Sequence, residues 1–165
     1  MNFELENKVA LITGGSKNIG KEIALSLASE KVNIAFTYNS SEKQAEQTLN
    51  EIKKFGVQAR AYKLDISKFN ETQDVLQKIY KDFGNIDILI NNAGFTQIKK
   101  FLETNIDDWN KQIDISLKGT IYCCHLVSKN MIKNQNGRII NIVGDSSRIG
   151  EANLAITAAA RGGTI

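Results

Sequence analysis

KVALITGGSKNIG, residues 8–20, is a nearly continuous apolar run that breaks into a glycine-rich turn and leads into a helical pattern. An uninterrupted apolar run predicts a strand covered on both faces, as in a parallel sheet, because a half-exposed strand alternates apolar and polar residues. Downstream, Ile19, Ile23, Leu27 and Ala28 recur at helical spacing and predict an apolar helix face over 19–31. VNIAFTY at 32–38 then reads as a second buried strand. Strand, helix, strand is the unit that joins parallel neighbours by a crossover.

The alternation continues. Ala45, Leu49, Ile52 and Phe55 mark a helix near 41–55, a strand follows at 58–63, and Val75, Ile79 and Phe83 mark a helix near 70–83 before a strand at 86–90. Thr104 is the predicted N-cap, with Asp107 and Asp108 in the first turn, of a long helix running to about Lys133. NGR at 136–138 turns the chain into a fifth strand, RIINIV, and a last helix begins near Ala155. This order predicts an α/β fold, a doubly wound parallel sheet in three α/β/α layers, with 1–165 as one domain. Ligands in such sheets bind at the carboxyl ends of the strands. The sequence stops at LAITAAARGGTI, the first turns of a helix without a polar tail, so the sheet is expected to be incomplete at the C-terminus.

With 165 residues, 42% of them hydrophobic, a formal charge of +3 and two cysteines, the chain is not collagenous, disordered or a disulfide framework. The longest apolar runs fall well short of the ~20 residues of a membrane span, and MNFELENK has no signal-peptide core, so a cytoplasmic protein is expected. Cys123 and Cys124 are adjacent in an apolar stretch, a spacing that suits buried thiols rather than a metal site or a disulfide. Both charge signs are interspersed, with no basic stripe for a nucleic acid.

Two signals fall at the expected ligand edge. TGGSKNIG at 13–20 lies between the first strand and the first helix, where backbone N–H groups and a helix N-terminus can face a pyrophosphate. Gly14 permits the tight turn, Gly20 the close approach of helix to sheet, and Ser16 and Lys17 offer a hydroxyl and a charge to phosphate oxygens. ILINNAG ends the fourth strand with Asn91, Asn92 and Gly94 at the same edge. Asp65, after the third strand, is placed to accept from an adenine amino group or to serve as an ordinary turn carboxylate.

TGGSKNIG, LDIS, ILINNAG, the helix WNKQIDISLKGTIYC and the strand GRIINIV resemble, in order and spacing, the short-chain dehydrogenase/reductase family, above all its 3-oxoacyl-carrier-protein reductase-like members. The resemblance runs over essentially the whole chain. It implies a Rossmann-like fold binding a nicotinamide dinucleotide, with Gly14, Ser16, Lys17, Asn18, Ile19 and Gly20 around the pyrophosphate and adenosine. It also implies Asp65 near adenine, and Asn91, Ala93 and Gly94 near the ribose. The second strand ends in Phe36-Thr37-Tyr38-Asn39-Ser40, without the acid that grips an NAD ribose, and Lys17 would attract a 2′-phosphate. NADP(H) is therefore favoured, with NAD(H) the alternative. Asn18 stands where the family has glycine, and Asn tolerates the left-handed conformation that the turn needs.

The catalytic positions depart from the family. There a Tyr exchanges the proton, a Lys four residues on lowers its pKa, a Ser thirteen residues earlier polarises the carbonyl, and an Asn of the preceding helix supports a relay. Aligning TAAARGG puts Thr157, Arg161, Gly144 and Ser116 at these four positions, all substituted. An aliphatic hydroxyl is a much poorer acid than a phenol. Asp145, Ser146 and Ser147 could stand in, or GDSS could be a solvated loop; Ser116 reads as a small packing residue and His125 as a helix-surface residue. Three readings remain open: an oxidoreductase acting on a small carbonyl or acyl thioester, a noncatalytic dinucleotide-binding or interaction domain, and an inactive fragment. The resemblance also implies a homo-oligomer.

Overall fold

The computed structural model describes residues 3–165. Five parallel strands form one sheet in the order β3-β2-β1-β4-β5. They are β1 (Val9–Ile12), β2 (Asn33–Tyr38), β3 (Ala59–Lys63), β4 (Ile88–Asn91) and β5 (Arg138–Asn141). The helices are α1 (Asn18–Ser29), α2 (Glu42–Lys53), α3 (Phe69–Phe83), α4 (Ile106–Ile113), α5 (Gly119–Lys133), α6 (Ser146–Ile149) and α7 (Ala155–Gly162). No helix among the described residues is long and apolar enough to cross a membrane.

Alternation along the strands explains the layers. Ala10, Ile12, Ile34, Phe36, Ile88 and Ile90 point to one face and pack with Ala24 and Ala28 of α1 and Ala45 and Ile52 of α2. Leu11, Ala35 and Leu89 point to the other, against Val75, Leu76 and Ile79 of α3 and Cys123, Val127 and Met131 of α5. Each central strand is thus buried on both faces, which is why its sequence reads as a continuous apolar run. The Rossmann-like doubly wound sheet is as expected. Burial pushes the Cys123 thiol up to about 12, so this cysteine is an inert core residue.

The strand order reverses at β1, whose neighbours are β2 and β4. The connections leaving β1 and β4 diverge there to opposite faces and open a crevice at the carboxyl edge.

Some details differ from expectation. Asn105, not Thr104, caps α4: its side chain accepts from the Asp108 N–H, and the Asp108 carboxylate accepts in return from the Asn105 N–H. Thr104 Oγ1 instead accepts from the Trp109 indole at 2.7 Å. The long helix is interrupted by a π turn at Asp114–Lys118. GDSS is not all loop, because Ser146 starts the short α6. Ile19 is 61% exposed rather than part of the α1 core face, because Gly20 takes the position against the glycine loop. Strand β5 is exposed along its length, leaving Ile139 and Ile140 uncovered.

Candidate functional site

The glycine loop is held in shape by threonines and an amide. Thr13 Oγ1 accepts from the N–H groups of Asn92 and Ala93, each at 3.0 Å, and so ties the ends of β1 and β4 together. Gly14 N–H donates to Thr37 Oγ1 at 3.2 Å and Gly15 N–H to the Thr37 carbonyl at 2.9 Å. Asn92 Nδ2 donates to the Thr13 and Gly14 carbonyls, both at 3.0 Å. The Gly14 and Gly15 N–H groups and the Thr13 and Gly14 carbonyls are thus satisfied within the fold, which shapes the turn before any ligand arrives.

The glycines are there for close approach. A Cβ on Gly15 would lie 2.6 Å from Phe36 Cβ, and one on Gly20 would fall on the Gly14 carbonyl oxygen. Gly14 has φ +66° and Asn18 φ +50°, so the asparagine does adopt the left-handed conformation. The N–H groups of Asn18, Ile19 and Gly20 open α1 and have no carbonyl one turn back; the first such bond runs from Lys21 N–H to the Lys17 carbonyl. These donors face a cleft of about 460 Å³.

The cleft collects most of the residues expected from sequence. Gly14, Ser16, Lys17, Asn18, Ile19, Gly20, Asp65, Ala93, Gly94 and Arg161 line it. Asn91 does not. It is buried beneath the edge, and its Nδ2 donates to Asn141 Oδ1 at 2.9 Å and to Cys124 Sγ at 3.3 Å, bridging β4 to β5 and α5. The pleat explains the correction: successive residues face opposite ways, so Asn92, one place later, carries the edge function. Asn39, Ser40 and Ser41, beyond β2, are further lining residues. Their turn-like composition after a strand was the available signal.

Asp65 is already engaged. Its Oδ1 accepts from the Ser67 hydroxyl at 2.6 Å and the Ser67 N–H at 3.2 Å, and Lys68 Nζ lies 3.5 Å from Oδ2. The Ser67 hydroxyl is the main cause that holds this carboxyl below its usual range. A carboxyl that titrates lower when folded contributes stability that is present above its unfolded pKa and lost as pH falls through the folded one. Ser67→Ala is therefore expected to raise the Asp65 midpoint toward that of a free carboxylate, to lower stability above that midpoint, and to flatten the loss of stability as the pH falls through it. Carboxyl NMR titration with acid unfolding measures these effects, and an unchanged midpoint contradicts the assignment.

The four aligned catalytic positions share no hydrogen bond with one another, and three of them do not line the cleft. Thr157 is buried outside the cleft, and its hydroxyl donates to the buried Gln112 Oε1 at 2.5 Å, while Gln112 Nε2 donates to the Asp108 carbonyl at 3.2 Å. Ser116 is buried in the π turn, where its Oγ accepts from the Phe95 N–H at 3.1 Å and donates to the Phe95 carbonyl at 3.3 Å. It pins the loop after β4. Gly144 is exposed, and its carbonyl accepts from the Ser147 N–H and hydroxyl. Asp145 and Ser146, the alternative candidates, begin α6 and do not line the cleft. Only Arg161 reaches it, donating from Nη1 to the Ile142 carbonyl with its guanidinium against Gly94 Cα.

Tyr38 also lines the cleft, at the β2 end. Its phenol is pushed above its ordinary pKa by burial and by Glu42 and Glu46, opposite to what a proton donor near neutrality needs.

A family model described as "short chain dehydrogenase" matches residues 8–165. The 3-oxoacyl-[acyl-carrier-protein] reductase FabG of Staphylococcus epidermidis is 38% identical over 156 residues, which are 93% of this chain and 64% of that protein. A crystal structure of a putative short-chain alcohol dehydrogenase from Sinorhizobium meliloti superposes with a TM-score of 0.94 at 28% identity, covering 99% of this chain and 65% of that one. NAD+-bound xylitol dehydrogenase superposes with a TM-score of 0.93 at 30% identity, covering 98% and 62% respectively. The chain thus spans less than two thirds of the length of the relatives it matches.

Proposed function

This chain belongs to the short-chain dehydrogenase family, and on that premise we propose that it binds NADP(H) and serves ketone/alcohol interconversion of the 3-oxoacyl reductase type. One observation carries the cofactor choice: no acid stands at the end of β2, where Asn39, Ser40 and Ser41 line the cleft together with the exposed ammonium-bearing Lys17. A 2′-phosphate there would meet hydroxyls, an amide and a cation, and no acid stands between the end of β2 and Glu42, the first residue of α2.

The residues fit the rest of such a dinucleotide. The free N–H groups of Asn18, Ile19 and Gly20 and the N-terminal end of α1 would hold the pyrophosphate. Asp65 would face the adenine, and Ala93 and Gly94 the nicotinamide ribose, as expected from the resemblance. When bound, the dinucleotide supplies hydride exchange with a carbonyl carbon. The chain's part is to orient it, to keep a small carbonyl compound or acyl thioester between Phe95, Ile115 and Ile142, and to place Arg161 beside them. Exposed Ile106, Ile121 and Ile132 on α4 and α5 support self-association of the protein.

A second reading is favoured by Thr157. Its hydroxyl is spent on Gln112, away from the cleft, so the position the family uses for proton transfer supplies none. On that reading the chain binds the dinucleotide without efficient turnover.

Titration with NADPH and NADH, followed by nicotinamide fluorescence, tests the cofactor choice. NADPH is expected to bind more tightly, and Lys17→Glu to weaken it about tenfold or more while changing NADH binding far less. Equal affinities in the wild type contradict the 2′-phosphate assignment. Oxidation of bound NADPH on adding a 3-oxoacyl thioester separates the first reading from the second.

A further inference from the structure

Helix α2 buries one stripe, Ala45, Thr48 and Ile52, spaced so that all three share a helix face. Thr48 is its polar member and is 1% exposed, at a position where an aliphatic side chain of the same size would also pack. A helical threonine can bond back to the carbonyl four residues earlier, as Thr72 does to Lys68 and Thr120 to Ser116. Thr48 does not. Its hydroxyl reaches across to the glycine loop and donates to the Ser16 carbonyl at 2.9 Å. One turn further along, Lys21 of α1 pairs with Glu51 of α2 at 2.8 Å and holds the two helices in the register that this bond needs.

The bond decides where the next N–H points. A trans peptide is planar, and its carbonyl and N–H face opposite ways. With the Ser16 carbonyl turned to α2, the Lys17 N–H is turned away from α2, at a point where Ser16 and Lys17 both line the cleft. That N–H has no acceptor among the described residues. Lys17 is extended, with φ −161°, so its N–H precedes the helical donors of Asn18, Ile19 and Gly20 rather than belonging to their turn. We propose that Thr48 is a positioning residue that fixes the Ser16–Lys17 peptide, so that the Lys17 N–H stands ready to donate to a phosphate oxygen of the dinucleotide. Without the hydroxyl this peptide is free to rotate about its flanking dihedrals and to turn its carbonyl, a partial negative charge, toward the phosphate.

This proposal rests on the reading of the cleft as a dinucleotide site, so its test includes a probe independent of that reading. NADPH and NADH are titrated into the wild type, Thr48→Val and Thr48→Ser, with nicotinamide fluorescence and melting temperature as readouts. Inorganic pyrophosphate is titrated into the same isotope-labelled proteins, with the Lys17 amide NMR signal as readout. Thr48→Val keeps the volume and removes the donor, and is expected to weaken dinucleotide binding about three- to tenfold. Thr48→Ser keeps the donor and loses a methyl group, so its melting temperature is expected to fall while its affinity stays within about twofold of the wild type. Thr48→Ala, which differs from Thr48→Ser only by the hydroxyl, repeats the comparison if the valine does not fold. A purely structural Thr48 would leave affinity the same in all of these variants well below their melting temperatures, and that result overturns the proposal. Equal losses for NADPH and NADH identify the pyrophosphate as the acceptor, and a loss confined to NADPH identifies the 2′-phosphate. Pyrophosphate is expected to move the Lys17 amide signal in the wild type and in Thr48→Ser, and less in Thr48→Val. If NADPH does not bind the wild type, the dinucleotide reading fails, while the pyrophosphate titration still decides the role of Thr48. A Lys17 amide that ignores pyrophosphate, or answers it equally with and without the hydroxyl, overturns the proposal.

Discussion

Gly20→Val is expected to abolish NADPH binding and to destabilise the whole fold. The new side chain would begin on the Gly14 carbonyl oxygen, 2.5 Å from Asn92 Nδ2 and 3.0 Å from Gly15 Cα, where backbone rather than a flexible side chain must give way. Overpacking of this kind costs about 1–3 kcal/mol. Displacing Asn92 adds the loss of its hydrogen bonds to the Thr13 and Gly14 carbonyls, on the order of 1 kcal/mol each. A drop in melting temperature of roughly 5–15 °C follows for a domain of this size. Because the donors of Asn18 and Ile19 ride on the same turn, NADPH affinity is expected to fall by about 100-fold or more, as two misplaced charge-assisted bonds would cost. Urea unfolding and fluorescence titration measure the two losses. Wild-type affinity in the variant would mean that the cleft beside Gly20 is not where the dinucleotide lies.

Thr157→Tyr restores the family's phenol in sequence, yet the expected result is a destabilised protein with no gain in carbonyl reduction. Position 157 is buried against Gln112 rather than open to the cleft, so a phenol there must displace that side chain or pull α7 off α4. Either route costs about 1–3 kcal/mol, and Gln112 Oε1 loses its donor. Shortening the partner as well, in Thr157→Tyr with Gln112→Ala, is expected to recover part of the stability. Equilibrium unfolding and NADPH oxidation with a 3-oxoacyl thioester are the measurements. A stable single variant that turns over the thioester faster than the wild type would place residue 157 at the cleft and contradict the latch.

These two sites mark where sequence was informative and where it was not. The strands of the sheet were legible because β1, β2 and β4 are covered on both faces, and double burial leaves an apolar run with nothing polar to interrupt it. The glycine loop was legible because close packing excludes side chains at Gly14, Gly15 and Gly20, and that exclusion is written in the residues themselves.

Geometry one residue or one helix away was harder to read. NNAG places two amides in a row, and only the strand's end decides that Asn91 turns inward to Asn141 while Asn92 faces the loop. Thr104 and Asn105 are both good caps, and the reciprocal bond with Asp108 selects the second. The π turn widens the helix without disturbing its composition, so the anchoring of Ser116 on Phe95 had no periodic signature. Thr157 meets a partner 45 residues earlier, a pairing that no local pattern carries.

The most direct measurement is a backbone amide NMR titration of the isotope-labelled protein with NADPH. The account predicts that the largest shifts fall on Gly14, Lys17, Asn18, Ile19 and Gly20, with a second group at Asp65 and at Ala93 and Gly94, while β5 and α6 stay still. Shifts concentrated away from the glycine loop, or none at saturating NADPH, would contradict it.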